Sequence, residues 1–334
     1  MILVTGGTGL VGAHLLLHLL QNGDTAIRAI YRNPQHIDKT KRLFQVANQP
    51  ALFDCIEWVF ADILDVSSLE LAFEGVDYVY HCAALISFDP NDEQQLRKVN
   101  IEGTANVVNF CIDYHIKKLC YVSSIAALGD LNQNQHIVTE ATEWNPEVLH
   151  SDYAISKYGA EMEVWRAHQE GVEVVIVNPG VIFGAGFWNQ GSGLFFTQIH
   201  KGFPFYTLGS TAFVAVDDVV VMMRKLMISD CNGERFALVS ENKTYFEVFC
   251  AIAEAIGARK PKIKASKLLL NVAWRLDWLF SKILRTRRKI SKHAALSLLN
   301  KDLISNQKIK DYFDYSFESV QDTINRLSKG FDAK

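Results

Sequence analysis

Eight residues near the start of the chain, Thr5-Gly6-Gly7-Thr8-Gly9-Leu10-Val11-Gly12, limit its possible folds more than any other feature. They follow a strand-like run, Ile2-Leu3-Val4, and precede the helically spaced Leu15-Leu16-Leu19-Leu20. Between a strand and a helix, such glycines permit a tight turn, let backbone N–H groups approach a ligand and let the helix pack closely on the strand. The N-terminus of that helix presents a positive dipole end, which suits a pyrophosphate. Thr5, Gly6, Gly9, Leu10, Val11 and Gly12 are therefore candidates for holding a dinucleotide. A bare Gly7-x-Gly9-x-x-Gly12 is a weak signal; the flanking strand and helix make it a strong one.

The same alternation continues. Runs at 26–30, 56–60, 76–82, 119–123 and 173–178 are rich in Val, Ile, Tyr and Phe, with helical patterns between them. This predicts an α/β fold: a Rossmann doubly wound parallel sheet covered on both faces. With 334 residues there is room for a second unit. The dinucleotide domain is assigned to 1–179 and 212–240. A smaller, discontinuous, mainly helical substrate lobe takes 180–211, a Gly- and Phe-rich loop region, and 241–330.

The net charge of −3 gives no electrostatic footprint for nucleic acid. The six cysteines lack CxxC spacing and mostly sit in apolar runs, so they read as reduced, buried and structural. No signal-peptide pattern precedes the first strand, so a cytoplasmic location is expected. Ten histidines without HxxxH or HExxH spacing predict no metal site. The apolar stretch Leu268–Leu284 is broken by Arg275, Asp277 and Lys282, too polar for a membrane span. It reads first as a packed helix of the substrate lobe; the alternatives are a membrane-surface helix and a lid.

NAD binding usually needs an acid at the end of the second strand, about 20 residues past the turn. Here that strand ends Arg28-Ala29-Ile30-Tyr31-Arg32-Asn33. An arginine there can pair a 2′-phosphate, so Arg32, with Arg28 on the same strand, points to NADP(H), with NAD(H) possible. Asp62, after the third strand, could meet the adenine amino group.

Tyr153 and Lys157 stand at i and i+4 in a plausible helix, on one face. A nearby ammonium lowers a phenol's pKa, and the pair can then act as general acid or base on a carbonyl or alcohol. Tyr121-Val122-Ser123-Ser124 ends an apolar strand at the edge where doubly wound sheets bind ligands. Ser124 is the candidate donor to the substrate oxygen; Ser123 is the alternative, nearer the cofactor.

Taken with His81-Cys82-Ala83-Ala84, Val99-Asn100-Ile101-Glu102-Gly103-Thr104, Asn178-Pro179-Gly180-Val181-Ile182-Phe183-Gly184 and Phe213-Val214-Ala215-Val216-Asp217-Asp218-Val219, these motifs resemble the extended short-chain dehydrogenase/reductase (NAD-dependent epimerase/dehydratase) family over residues 1–240. Arg28 to Pro34 looks like its dihydroflavonol reductase branch. The resemblance implies hydride transfer at nicotinamide C4, catalysis by Ser124, Tyr153 and Lys157, and Lys157 on the nicotinamide ribose. It also implies cofactor contacts from Ile63, Ala83, Ala84, Pro179 and Val181. Where the family often has Asn-Ala-Ala, this chain keeps only the small pair after His81-Cys82. A homodimer through two paired helices is implied as well, with Val107, Val108, Phe110, Met162 and Trp165 on its face.

Three functions follow in order: an NADP(H)-dependent reductase of a small aldehyde or ketone, a nucleotide-sugar epimerase or dehydratase with tightly held NAD, and a non-catalytic dinucleotide sensor. The stretches Phe183–Phe196 and Gly202–Tyr206 are aromatic, and Lys201 is the one Lys or Arg between Pro179 and Arg224, which favours an apolar carbonyl. The opposing possibility is that those aromatics pack the lobe, with phosphate contacts from Arg259, Lys260 or the basic cluster 285–289.

Overall fold

The computed structural model describes residues 1–132, 135–284, 286–288 and 291–331. Seven strands form the central sheet: β1 (Ile2–Thr5), β2 (Ile27–Tyr31), β3 (Ile56–Phe60), β4 (Tyr78–His81), β5 (Lys118–Val122), β6 (Glu173–Pro179) and β7 (Glu234–Leu238). Their order is β7-β6-β5-β4-β1-β2-β3, and every pairing is parallel. This is the expected Rossmann sheet. The chain runs outward from β1 through β2 and β3, then returns to place β4 on the other side. The switch point therefore lies between β1 and β4, where open α/β sheets bind ligands at the strands' carboxyl ends.

Helices cover both faces because the strands are apolar on both sides. On one face α1 (Leu10–Gln21) packs with α6 (Val216–Ile228), burying Leu15, Leu16 and Leu19 against Val219, Met222 and Met223. On the other face lie α3 (Val66–Phe73), α4 (Gly103–Asp113) and α5 (Asp152–Gln169), around Leu69, Phe73, Val107 and Val164. Val107, Val108 and Phe110 are thus inside the chain's own core, which corrects their assignment to a dimer face. Among the five positions, Met162 is exposed and Trp165 half-buried.

A second core joins the short strands Val181–Phe183, Ser210–Ala215 and Glu241–Thr244 to helices Gly193–His200, Tyr245–Ala255 and Val320–Ser328. Phe183 stacks on Phe213, and Phe183, Phe187 and Phe196 are buried. The aromatic segment therefore packs the lobe, as the opposing possibility had it, rather than lining an open substrate surface. It is also partly helical rather than loop. A further correction concerns α7 (Lys267–Leu284). It is no packed core helix: Leu270 is buried, while Leu268, Leu276, Phe280 and Ile283 are exposed. Cys111, Cys120 and Cys231 are buried as expected, but Cys55 is exposed, and all six thiols are free.

Candidate active site

The glycine turn fits a pyrophosphate by its sterics. Gly6 has φ +70°, and a Cβ there would sit 2.6 Å from the Ala83 nitrogen. A Cβ on Gly12 would sit 2.2 Å from the Gly6 carbonyl oxygen. Both positions need glycine for backbone to meet backbone. Gly9 does the opposite: it leaves the front of α1 open, since no side chain caps the helix and no acid stands in its first turn. The free N–H groups of Leu10 and Val11 thus face the switch point.

Thr5 at the tip of β1 is fully buried. Its hydroxyl accepts from the Ala83 N–H (3.1 Å) and meets His81 Nδ1 at 2.7 Å. His81 Nε2 meets the Thr104 hydroxyl at 2.9 Å. Burial pushes His81 down to about 3, with Lys157 adding to the effect, so the ring is neutral and joins the two threonines as a structural bridge. Ala83 is half-buried and Ala84 exposed at the strand edge. Ile63 is buried against Gly103, Pro179 is buried at the end of β6, and Val181 is half-buried just beyond it.

Just past the ends of β2 and β3, Arg32 and Asp62 stand side by side, 3.7 Å apart. Arg32 is mostly exposed, so the pair is weak and the guanidinium can turn to another anion. Arg28 is not available. It is buried, donating to the Ala72 and Glu74 carbonyls and pairing with Glu57 at 3.0 Å, so it closes the end of α3.

Ser151 caps α5 by accepting from the Ala154 N–H, which sets Tyr153 in the first turn and Lys157 one turn further on. Ser124 accepts from the Ala126 N–H at 3.1 Å, leaving its own proton to donate. Burial raises the Tyr153 phenol above its ordinary value, and a hydrogen bond with Ser124 opposes the rise. This reverses the expected lowering. Burial outweighs any help from Lys157, which donates instead to Tyr121 Oη (2.7 Å) and to the Val122 carbonyl (2.8 Å). Burial brings Lys157 down to about 7, with Glu161 and Cys82 resisting.

Ser123 also departs from expectation. Its hydroxyl donates to Glu161 Oε2 at 2.7 Å, in the interior behind the site. Asn178 and Arg235 donate to the same carboxylate. These partners, with Tyr121 and His81, are what motif reading missed. Asn100 was quoted only as part of a signature. In the structure it holds the Leu85 backbone through two bonds and donates to Ser156, and so ties the loop after β4 to the Tyr153 helix. It lies in a π-helical stretch, Arg97–Glu102, a feature frequent at functional sites.

Beside Tyr153 is a cavity of about 190 Å³, lined by Phe88, Pro90, Trp274, Arg288 and Ala294 among others. The Phe88 ring lies 5.9 Å from that of Tyr153.

The glycine turn, the Tyr153–Lys157 helix and the strand ends thus converge on one sheet edge, and the family model decides what they amount to: the NAD dependent epimerase/dehydratase family matches residues 2–237. The chain belongs to this family. It is an NAD(P)-dependent oxidoreductase of the short-chain dehydrogenase/reductase kind. Among relatives, the sterol demethylase protein B of Methylococcus capsulatus is 28% identical over 306 residues, covering 89% of this chain and 88% of that one. The tetraketide alpha-pyrone reductase 2 of Arabidopsis thaliana is 31% identical over 239 residues (65% and 71%). A dihydroflavonol 4-reductase of the same plant is 26% identical over 190 residues (54% and 49%). Of solved structures, gox2253 superposes with a TM-score of 0.80 at 23% identity, covering 99% and 97% of the two chains. The UDP-glucose 4-epimerase of Thermus thermophilus, complexed with NAD, gives 0.74 at 21% identity (98% and 98%). At these identities the structures speak for the fold.

Proposed function

We propose that the chain is an NADP(H)-dependent reductase of a small, apolar aldehyde or ketone. The observation that carries this reading is the cavity beside Tyr153. At about 190 Å³ it is small for a nucleotide sugar, and Phe88, Pro90, Trp274 and Ala294 share its wall with polar groups, among them Ser87, Asp152, Arg288 and Lys292. The names of the relatives, a sterol demethylase protein and two reductases of tetraketide pyrone and dihydroflavonol, support a carbon-rich substrate.

The turn Thr5–Gly12, with Ala83, Ala84, Ile63, Pro179 and Val181 along the sheet edge, would hold the dinucleotide, with Asp62 at the adenine. When bound, the reduced cofactor supplies a hydride. Ser124 donates a hydrogen bond to the carbonyl oxygen, and Tyr153 gives that oxygen its phenolic proton. The phenol holds its proton at neutral pH, as a donor must, and the burial that raises it makes the stabilisation of the phenolate the harder part of the step. Lys157 then stabilises the phenolate left behind and contacts the nicotinamide ribose, which requires it to release Tyr121.

With its guanidinium exposed and no acid at its own position, Arg32 favours a 2′-phosphate. NADPH is expected to bind roughly 10- to 100-fold more tightly than NADH, as one charge-assisted contact allows. Arg32→Asp should erase or invert the ratio. Equal dissociation constants in the unaltered chain would refute the preference; tight retention of a UDP-sugar, with apolar carbonyls left unreduced, would decide for an epimerase. The lobe of 180–211 and 241–330 stays assigned to substrate.

A homodimer across α4 and α5 belongs to the same proposal. Its face must come from the outer residues Asn109, Met162 and Arg166, which lie beside the buried set; Arg166 already bridges Asn109 and Glu170. Light scattering at micromolar concentration should return twice the chain mass.

A further inference from the structure

The helix α7 presents an apolar face that the rest of the described residues leave bare. At 100° per residue, Leu268, Leu269, Val272, Leu276, Leu279, Phe280 and Ile283 fall within about 120° of the helix circumference. All seven are exposed, Leu268 at 76% and Ile283 at 66%. The opposite side is anchored. Leu270 and Trp274 pack with Ala265 and Ala295, and Asp277 faces Arg288 at 3.8 Å.

The charge along this segment is almost all positive, with Arg287 paired to Asp92 and Arg288 to Asp277. Residues 262–289 contain nine Lys and Arg and a single acid, Asp277, which is turned inward. Of the cluster 285–289, Arg285 and Lys289 lie outside the described residues. Arg275 and Lys282 fall together along one edge of the apolar arc. Each lies over an indole, Arg275 on Trp274 at 4.6 Å and Lys282 on Trp278 at 4.4 Å. An apolar face bordered by cations, with the half-exposed indole of Trp278 next to them, is the pattern of a helix lying in a lipid headgroup layer.

We infer that α7 docks this chain on an anionic lipid bilayer, lying in the plane of the surface with Leu276 and Ile283 in the acyl boundary. A second copy is a poorer occupant, since a two-fold pairing of these faces would set cation against cation. The position in the fold gives the docking a use. Trp274, on the inner side of the same helix, lines the Tyr153 cavity, and Phe88 on that cavity's wall is itself more than half exposed beside exposed Ile86. The docked chain holds the cavity against the membrane, where a carbonyl dissolved in lipid reaches Tyr153. Only this use rests on the reductase reading; the docking does not.

The test is sedimentation of the full chain with phosphatidylcholine vesicles, with and without phosphatidylserine. Binding is expected to the phosphatidylserine vesicles and to weaken as salt rises. Leu276→Glu/Ile283→Glu, both at exposed positions, should weaken partitioning roughly 100-fold or more, given the transfer cost of two aliphatic side chains. Its unfolding midpoint and its turnover of a water-soluble aldehyde should be unchanged. A chain that stays in the supernatant, or a double variant that still binds, overturns the docking. So does a double variant whose mass by light scattering falls below that of the parent, since the face then serves self-association. Vesicle binding in a chain that reduces no carbonyl would leave the docking standing and remove only the reductase reading.

Discussion

Tyr153→Phe is expected to cut kcat by roughly 10²- to 10⁴-fold, the usual contribution of a positioned general acid. Dinucleotide affinity should barely move, because the glycine turn and Arg32 are untouched. The ring itself survives the change and keeps its contact with Phe88. The defect should therefore appear in kcat and in kcat/KM alike, the mark of an interaction made in the transition state. Near-normal turnover would remove Tyr153 from the chemistry. The pH profile supplies a second check. Tyr153 is shifted up from an ordinary value near 10, so its proton stays on throughout the neutral range. Lys157 is brought down to about 7, so its ammonium is the dominant form only below that pH. For reduction, kcat/KM should fall as pH rises through about 7. A flat profile from mildly acidic to mildly basic pH would show that the charge on Lys157 is not needed. Stability should run the other way. Across the window from about 7 to the ordinary lysine value, the unfolded chain binds the extra proton, so stability rises with pH.

What was legible in the sequence was local or periodic. The glycine turn announces itself because a strand, the glycines and an apolar helix are contiguous. Tyr153 and Lys157 share a face because 3.6 residues make a turn. The strands of the parallel sheet are legible for the same reason, as unbroken apolar runs between helical patterns. Direction was not legible. The spacing puts Lys157 near Tyr153, yet its ammonium bonds to Tyr121, 36 positions away in the chain. The composition of Phe183–Phe196 is aromatic whether the rings point to a substrate or into the protein, and they turn inward, Phe183 on Phe213, Phe195 on Phe249 and Trp188 on Phe196. Val107, Val108 and Phe110 suit an interface as well as a core, and the sheet claimed them first. Trp274 could not be placed at the Tyr153 cavity, since much of the second lobe must fold before the two meet.

The buried carboxylate of Glu161 is the other such long-range feature, and its loss of a partner is expected to be the most destabilising change at the site. Glu161 is fully buried. It accepts from Ser123 Oγ (2.7 Å), Asn178 Nδ2 (3.0 Å) and Arg235 Nη1 (2.8 Å). Arg235 supplies the compensating charge and also donates to the Glu140 carbonyl. Ser123 stands just past β5, Asn178 on β6 and Arg235 on β7, the first two next to Ser124 and Pro179, while Glu161 lies one turn beyond Lys157 on α5. The network therefore fixes the Tyr153 helix against the strand ends. Arg235→Met would leave the carboxylate buried without its counter-ion, a change that typically costs about 3–5 kcal/mol. Urea unfolding should show that loss as a lower midpoint at unchanged slope. Adding Glu161→Met should recover much of it, because the penalty comes from the unpaired charge rather than from the missing guanidinium. Arg97→Ala, which breaks the exposed pair with Glu93, sets the scale and should cost no more than about 1 kcal/mol. If Arg235→Met costs no more than that control, Glu161 is not held as a buried ion and the clamp on α5 must lie elsewhere.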